Sequence, residues 1–275
     1  MSDMFTQEFI FSALKISIIM GLLLSYLGVH VVGRGIVFVD LALGQISMLG
    51  VAFGNFIGKD QTLISIIFTM VGAFLLSFIK IKDKRLKQEA IIGIVYAVAS
   101  AATVLLISKS PHGESDISEV LFGSVFTVTN EQITTMALVF GLVGLVQIIF
   151  RKKFFGLTEK FENHQIEDVG VFDLWNFLFY LSIGLAIVLA VRSAGVIPVF
   201  SFLIIPPVSA ILISRKKNSM VIISMLVAVL GSFFGLFFST HYDFPAGSSV
   251  VAILGVIFGL FAIVRWGMNL ISSKQ

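Results

Sequence analysis

Apolar runs of about 20 residues recur from one end of this chain to the other, each closed off by a short polar cluster. That period decides the class. A helix rising 1.5 Å per residue needs roughly 20 residues to cross the ~30 Å hydrocarbon core of a bilayer. In hydrocarbon, only helices and closed barrels satisfy every backbone polar group. A barrel would be written as segments of about 10 residues with alternating character, and the sequence has none. The expected fold is an all-α polytopic membrane protein forming one transmembrane domain over residues 1–275. Composition agrees, since only 13% of the residues are charged, against about 25% in a soluble domain.

The runs predict nine spans, at about 9–31, 36–57, 62–80, 89–108, 132–150, 174–191, 195–213, 218–240 and 247–266. Met1-Ser2-Asp3 supplies no basic stretch before the first run, so no cleavable leader is expected. There is no cysteine among the 275 residues, which removes disulfides and thiolate metal sites.

Basic residues orient the spans. With the N-terminus outside, the cytoplasmic segments hold Arg34, Lys80, Lys82, Lys84, Arg85, Lys87, Arg151, Lys152, Lys153, Lys160, Arg215, Lys216, Lys217, Arg265 and Lys274. That is 15 of the 19 Lys and Arg, the bias expected of cytoplasmic loops. An odd number of spans then places the C-terminus in the cytoplasm.

Two connections are too long for simple turns. The external one contains LFGSVF (121–126), apolar but too short to span, and reads as a re-entrant or interfacial helix at about 115–130. The cytoplasmic one, RKKFFGLTEKFENHQIEDVGVFD (151–173), reads either as a solvated loop or as a short amphipathic helix docking a cytoplasmic partner. Its length favours the second.

Within the spans, Gly50, Gly54 and Gly58 form a small-residue ladder that lets helix backbones approach closely. Pro206 and Pro207 remove backbone donors in the middle of the seventh span, which predicts a bend or break there. A charged side chain in hydrocarbon is costly and normally faces a bundle interior or watery cavity. Asp40 is such a residue, although near its span's end it could snorkel or meet Arg34. Gln45 lies deeper, where an interhelical hydrogen bond is the ordinary use. The two are five apart, about 140° round the helix, and Ser47 lies closer to the Asp40 side. His30 reads as a packed or interfacial histidine. His112, Glu114, Asp116 and Glu119 make an acidic external loop. His241 and Asp243 stand at the external mouth of the eighth span and are plausible metal ligands.

Enzyme signatures are missing: no HExxH, no GxSxG and no Walker A. The chain is not expected to be an enzyme, so any ATP-driven work needs a separate ATPase subunit.

Four stretches in order carry a resemblance: the opening of the second span through LGVAFG (49–54); EAIIGIVYAVASA (89–101) with LFGS (121–124); AGVIPVFSFLIIPPVSA (194–210); and FSTHYDFPAGSSVV (238–251). They resemble the membrane permeases of bacterial ABC importers for zinc, manganese and iron. The family usually carries an aspartate and, four residues later, a histidine in the second span. Aligned on Gly50-Val51-Ala52, those positions hold Leu41 and Gln45 here, and Asp40 falls one residue early. The chain resembles a branch with LAL-small-Gln, here LALGQ at Leu41–Gln45.

The resemblance implies a homodimer, or a pair with a closely related permease, bound to a cytoplasmic ABC ATPase dimer and fed by an external metal-binding protein. It implies a bacterial inner-membrane location and no permanent cofactor. The cargo would be a divalent metal ion, zinc first and manganese or iron next. On this reading Asp40, Gln45 and Ser47 line the translocation path, His241 and Asp243 are metal ligands, and Thr158, Phe161, Ile166, Val169 and Gly170 couple to the ATPase. The rival reading is a stand-alone secondary transporter or channel for a small ion or solute. No role with nucleic acid is expected.

Overall fold

Helix ends in this chain are written by a few residues. Gly35 takes φ +66° just past the first helix, and Gly195 takes φ +83° between the seventh and eighth. Both adopt a backbone conformation that a Cβ disfavours, so the chain turns sharply there. Asp60 starts the third helix by accepting from the backbone N–H of Thr62 (2.7 Å) and Leu63 (3.1 Å). Asp173 starts the seventh by accepting from the Asn176 N–H at 2.7 Å. Each satisfies amides that would otherwise be orphaned at a helix N-terminus.

The computed structural model describes residues 8–79, 88–108, 125–163 and 173–272. Its helices are α1 (Glu8–Arg34), α2 (Val39–Phe56), α3 (Gln61–Ser77), α4 (Gln88–Ile107), α5 (Asn130–Ile149), α6 (Arg151–Glu162), α7 (Leu174–Ala194), α8 (Val196–Ile213), α9 (Lys217–Tyr242) and α10 (Ala246–Ser272). Among the described residues there is no strand. Eight of the helices are long and apolar enough to cross a membrane, and α3, with 17 residues, is a shorter apolar helix. Each of the nine expected spans coincides with one of these helices. The tenth helix, α6, is the short amphipathic one. Of the expected element at 115–130, residues 115–124 lie outside the described ones, and Val125–Thr127 form a single 3-10 turn.

Contacts group the residues into two compact units. One holds α1 as far as Val32, the 3-10 turn, the start of α5, and α8 from Ile197 onward with α9 and α10; the other holds Gly33–Gly123 and Leu138–Val196.

The first unit is joined by close backbone approach. A Cβ on Gly28 of α1 would stand 1.9 Å from the Leu203 carbonyl oxygen and 2.6 Å from Pro207 Cγ. On α9, Gly235 meets the Val250 backbone in the same manner, and Gly231 meets the Leu254 side chain. Small residues at helix crossings supply packing contacts that lipid alone would not drive.

The prolines correct an expectation. A bend or break was expected at Pro206-Pro207; α8 runs as one continuous helix with both inside it, which rules out the break. The fixed φ of proline is compatible with a helix, and what is lost is a donor to the carbonyl four residues back. For Pro207 that carbonyl belongs to Leu203, the one seated against Gly28.

The second unit is tied by buried polar groups. Ser47 and Ser65 share a hydrogen bond of 2.8 Å between α2 and α3. Gln147 donates to Ser182 at 3.1 Å between α5 and α7, and Gln88 donates to the Tyr180 hydroxyl at 2.9 Å.

Candidate functional site

The first candidate region is the start of α2. Asp40 is 2% exposed, and its Oδ1 has no hydrogen-bond partner among the described residues. Its surroundings are the backbone amides of Asp40 and Leu41, the positive end of the α2 dipole. Arg34 does not neutralise it. The Asp40–Arg34 pairing that the sequence allows is not made, because the Arg34 guanidinium is bonded elsewhere. Gln45 is 5% exposed. Between them, Gly44 lies 3.8 Å, measured from an added Cβ, from Val191 and Val196, so an apolar wall flanks this stretch. Ser47 is buried too, but its hydroxyl is engaged with Ser65, a use that packs α2 on α3. The region offers one carboxylate with an unpaired oxygen and one amide, both hard oxygen donors.

The second candidate region is the end of α9. His241 is exposed and stacked on Phe237, with ring centroids 6.1 Å apart and planes 3° from parallel. Asp243 closes the helix in a left-handed conformation (φ 56°, ψ 35°), with its N–H bonded to the Ser239 carbonyl. Ser239 in turn donates to the Phe244 carbonyl at 2.6 Å. Asp tolerates this conformation better than most residues with a Cβ, so turn geometry accounts for its presence. Among the described residues no group of three or more His, Asp or Glu side chains converges as a metal site. Among the described residues, His241 and Asp243 therefore offer two ligands at most. His112, Glu114, Asp116 and Glu119 lie outside the described residues. His30 is fully buried in α1, edge-on to Tyr26 at 5.4 Å.

The third region surrounds α6. Phe154, Leu157, Thr158 and Phe161 are buried, at the i, i+3, i+4, i+7 spacing of one helix face. Arg151, Lys152, Lys153, Glu159 and Lys160 are exposed on the other. Trp175 closes the docking, with its ring centroid 5.0 Å from Phe150 and 5.7 Å from Phe154. Ile166, Val169 and Gly170 lie outside the described residues.

Beneath this face is a group that the sequence placed only as a cytoplasmic basic residue and a possible partner of Asp40. Arg34 is 6% exposed; its Nε donates to Thr158 Oγ1 at 3.2 Å and its Nη1 to Asn176 Oδ1 at 3.1 Å. Its guanidinium carbon stands 3.5 Å from the centre of the Phe179 ring, a cation–π geometry. Asn176 Nδ2 donates onward to the Ser77 carbonyl at 2.8 Å. The available signal was slight: one basic residue at the end of a long apolar helix.

A model of the ABC 3 transport family matches residues 6–265. The chain belongs to that family. Relatives within reach of the ABC 3 match include the manganese transport system membrane protein MntC of Halalkalibacterium halodurans, 23% identical over 90% of this chain and 84% of the relative. Another is the high-affinity zinc uptake system membrane protein ZnuB of Haemophilus influenzae, 25% identical over 88% of this chain and 92% of its own length. Among solved structures, PsaBC from Streptococcus pneumoniae in complex with Fab superposes with a TM-score of 0.79 at 24% identity, over 94% of this chain and 93% of that one. At that identity the superposition bears on fold alone.

Proposed function

We propose that the chain is the transmembrane permease subunit of an ATP-driven importer of divalent transition metal ions, itself without enzymatic activity. The family match over residues 6–265 carries this reading. Metal crosses the bilayer beside α2, with the buried Asp40 carboxylate and the Gln45 amide as its oxygen contacts. Ser47 holds α2 to α3 at the edge of that path. His241 and Asp243 meet the ion at the external mouth, completed by water or by an external metal-binding protein. The exposed basic face of α6 receives a cytoplasmic ABC ATPase dimer, and a second copy of the permease supplies the other wall of the path.

The family resemblance ranks zinc first. The α2 donors argue for manganese ahead of it, because carboxylate and carbonyl oxygens suit manganese whereas zinc favours imidazole and thiolate. Relatives are named for both metals. In a bacterial inner membrane the exposed Arg151, Lys152, Lys153, Arg215 and Lys216 would face the cytoplasm, which leaves the N-terminus outside and the C-terminus inside.

The test is uptake of manganese(II) and zinc(II) tracers into proteoliposomes holding the chain with and without its ATPase subunit. Uptake should require both the subunit and ATP, and Asp40→Asn should lower it about tenfold or more, as expected when a carboxylate contact worth a few kcal/mol is lost. Undiminished uptake by the chain alone would instead establish a stand-alone transporter or channel.

A further inference from the structure

Docking α6 needs no buried cation. Phe154, Leu157 and Phe161 already supply an apolar face, with Trp175 packed against it. Yet the guanidinium of Arg34 lies under that face with its Nη2 lacking a hydrogen-bond partner among the described residues, and the Asp173 carboxylate acts on it without a direct ion pair. Burying a charge without a directly paired counter-charge is expensive. Such groups are best attested where they fix a register that apolar packing leaves loose.

The register here joins four helices. Nε holds Thr158 on α6, Nη1 holds Asn176 on α7, and Asn176 holds the Ser77 carbonyl at the end of α3, while Arg34 itself ends α1. The α1 backbone also runs close beneath α6, since a Cβ on Gly33 would stand 2.8 Å from Thr158 Cγ2. An apolar face can slide by a rotamer change, whereas the planar guanidinium fixes the direction of each donor. We propose that Arg34 is a positioning residue that makes α6 move as one piece with the adjoining ends of α1, α3 and α7, so that a push on α6 is delivered to the spans instead of being absorbed at its seat. This rests on the reading of α6 as the place where an ATPase docks.

The experiment uses the full chain co-purified with its ATPase subunit and reconstituted in liposomes. Three quantities are read: ATPase retained per permease, ATP hydrolysed, and manganese(II) or zinc(II) tracer delivered per ATP. Thr158→Val keeps the shape and removes the acceptor; Arg34→Lys keeps the charge and loses the fork; Thr158→Ser keeps the acceptor. The first two should retain the ATPase and hydrolyse ATP within about twofold of wild type, while metal delivered per ATP falls roughly tenfold, the scale of one lost charge-assisted hydrogen bond. Thr158→Ser should restore it to within about twofold. A purely structural contact would lower stability or assembly without changing that ratio. The proposal is overturned if metal per ATP is unchanged in both variants, or if Thr158→Val sheds the ATPase. A wild-type complex that retains no ATPase sinks the underlying reading instead, and is seen before any variant is made.

Discussion

The two compact units of this chain weight the same physics differently. In the first, helices meet at glycine: Gly28 on the Leu203 carbonyl and Pro207, Gly235 on the Val250 backbone, Gly231 on the Leu254 side chain, with one buried hydrogen bond from Ser224 to the Ser25 carbonyl beside them. In the second, glycine contacts are present as well, but the long-range ties are polar: Arg34 to Thr158 and Asn176, Asn176 to Ser77, Ser47 to Ser65, Gln147 to Ser182. Close packing has a single solution and fails abruptly when volume is added. Hydrogen bonds in a low-dielectric interior can be exchanged between partners, and each costs little until one side is removed. The polar unit also carries Asp40, Gln45 and α6. Of the residues proposed to work, those of α2 and α6 thus lie in the unit whose ties can be remade, while His241 and Asp243 lie in the other.

Volume added to the first unit should have the largest effect. Gly28→Val places atoms where the Leu203 carbonyl and the Pro207 ring already are, and backbone cannot swing aside as a side chain can. A destabilisation of about 3 kcal/mol or more is expected, at or beyond the upper end for overpacking, read as loss of monodisperse protein and a lowered Tm in detergent. Unchanged stability would mean the seam yields, and the contrast between the units would collapse.

Removing a partner in the second unit comes next. Asn176→Leu leaves Arg34 Nη1 and the Ser77 carbonyl without their bonds at nearly the same volume, for an expected cost of about 2–3 kcal/mol. Thermal unfolding checks the size. Repeating it with Arg34→Met in the same chain checks the cause, because the double variant should recover part of the loss.

The smallest effect belongs to the rim. The Leu63 and Thr62 amides hold the exposed Asp60 carboxyl below its ordinary value. A depressed native pKa means the cap's contribution is fully present above the unfolded value, near 3.8, and fades as pH falls through the lower folded value. Tm measured down through the acid range should therefore slope less in Asp60→Asn than in wild type. Equal slopes would show that the cap is not titrating with stability.

The spans were legible because a bilayer forces twenty apolar residues to be contiguous, and contiguity is what a sequence displays. The α6 face was legible too, since Phe154, Leu157, Thr158 and Phe161 repeat at helical spacing. Arg34 was not. Its partners lie 124 and 142 residues away, and no local pattern encodes that distance. Asp243 shows what a sequence pattern leaves out: beside His241 it reads as a ligand, and its left-handed backbone adds that it also closes a helix. Pro206 and Pro207 announce lost donors correctly, but whether a helix breaks there depends on what the freed carbonyl meets, and here it meets Gly28.

The seat of α6 also comes with its own lamp. The chain has two tryptophans: Trp175 packs between Phe150 and Phe154, and Trp266 on α10 is 66% exposed. With Trp266→Phe, the single remaining indole would sit at the joint where α5 ends and α6 rests on α7. Its emission would then report, without any attached dye and in a chain free of cysteine, each time that helix lifts or settles.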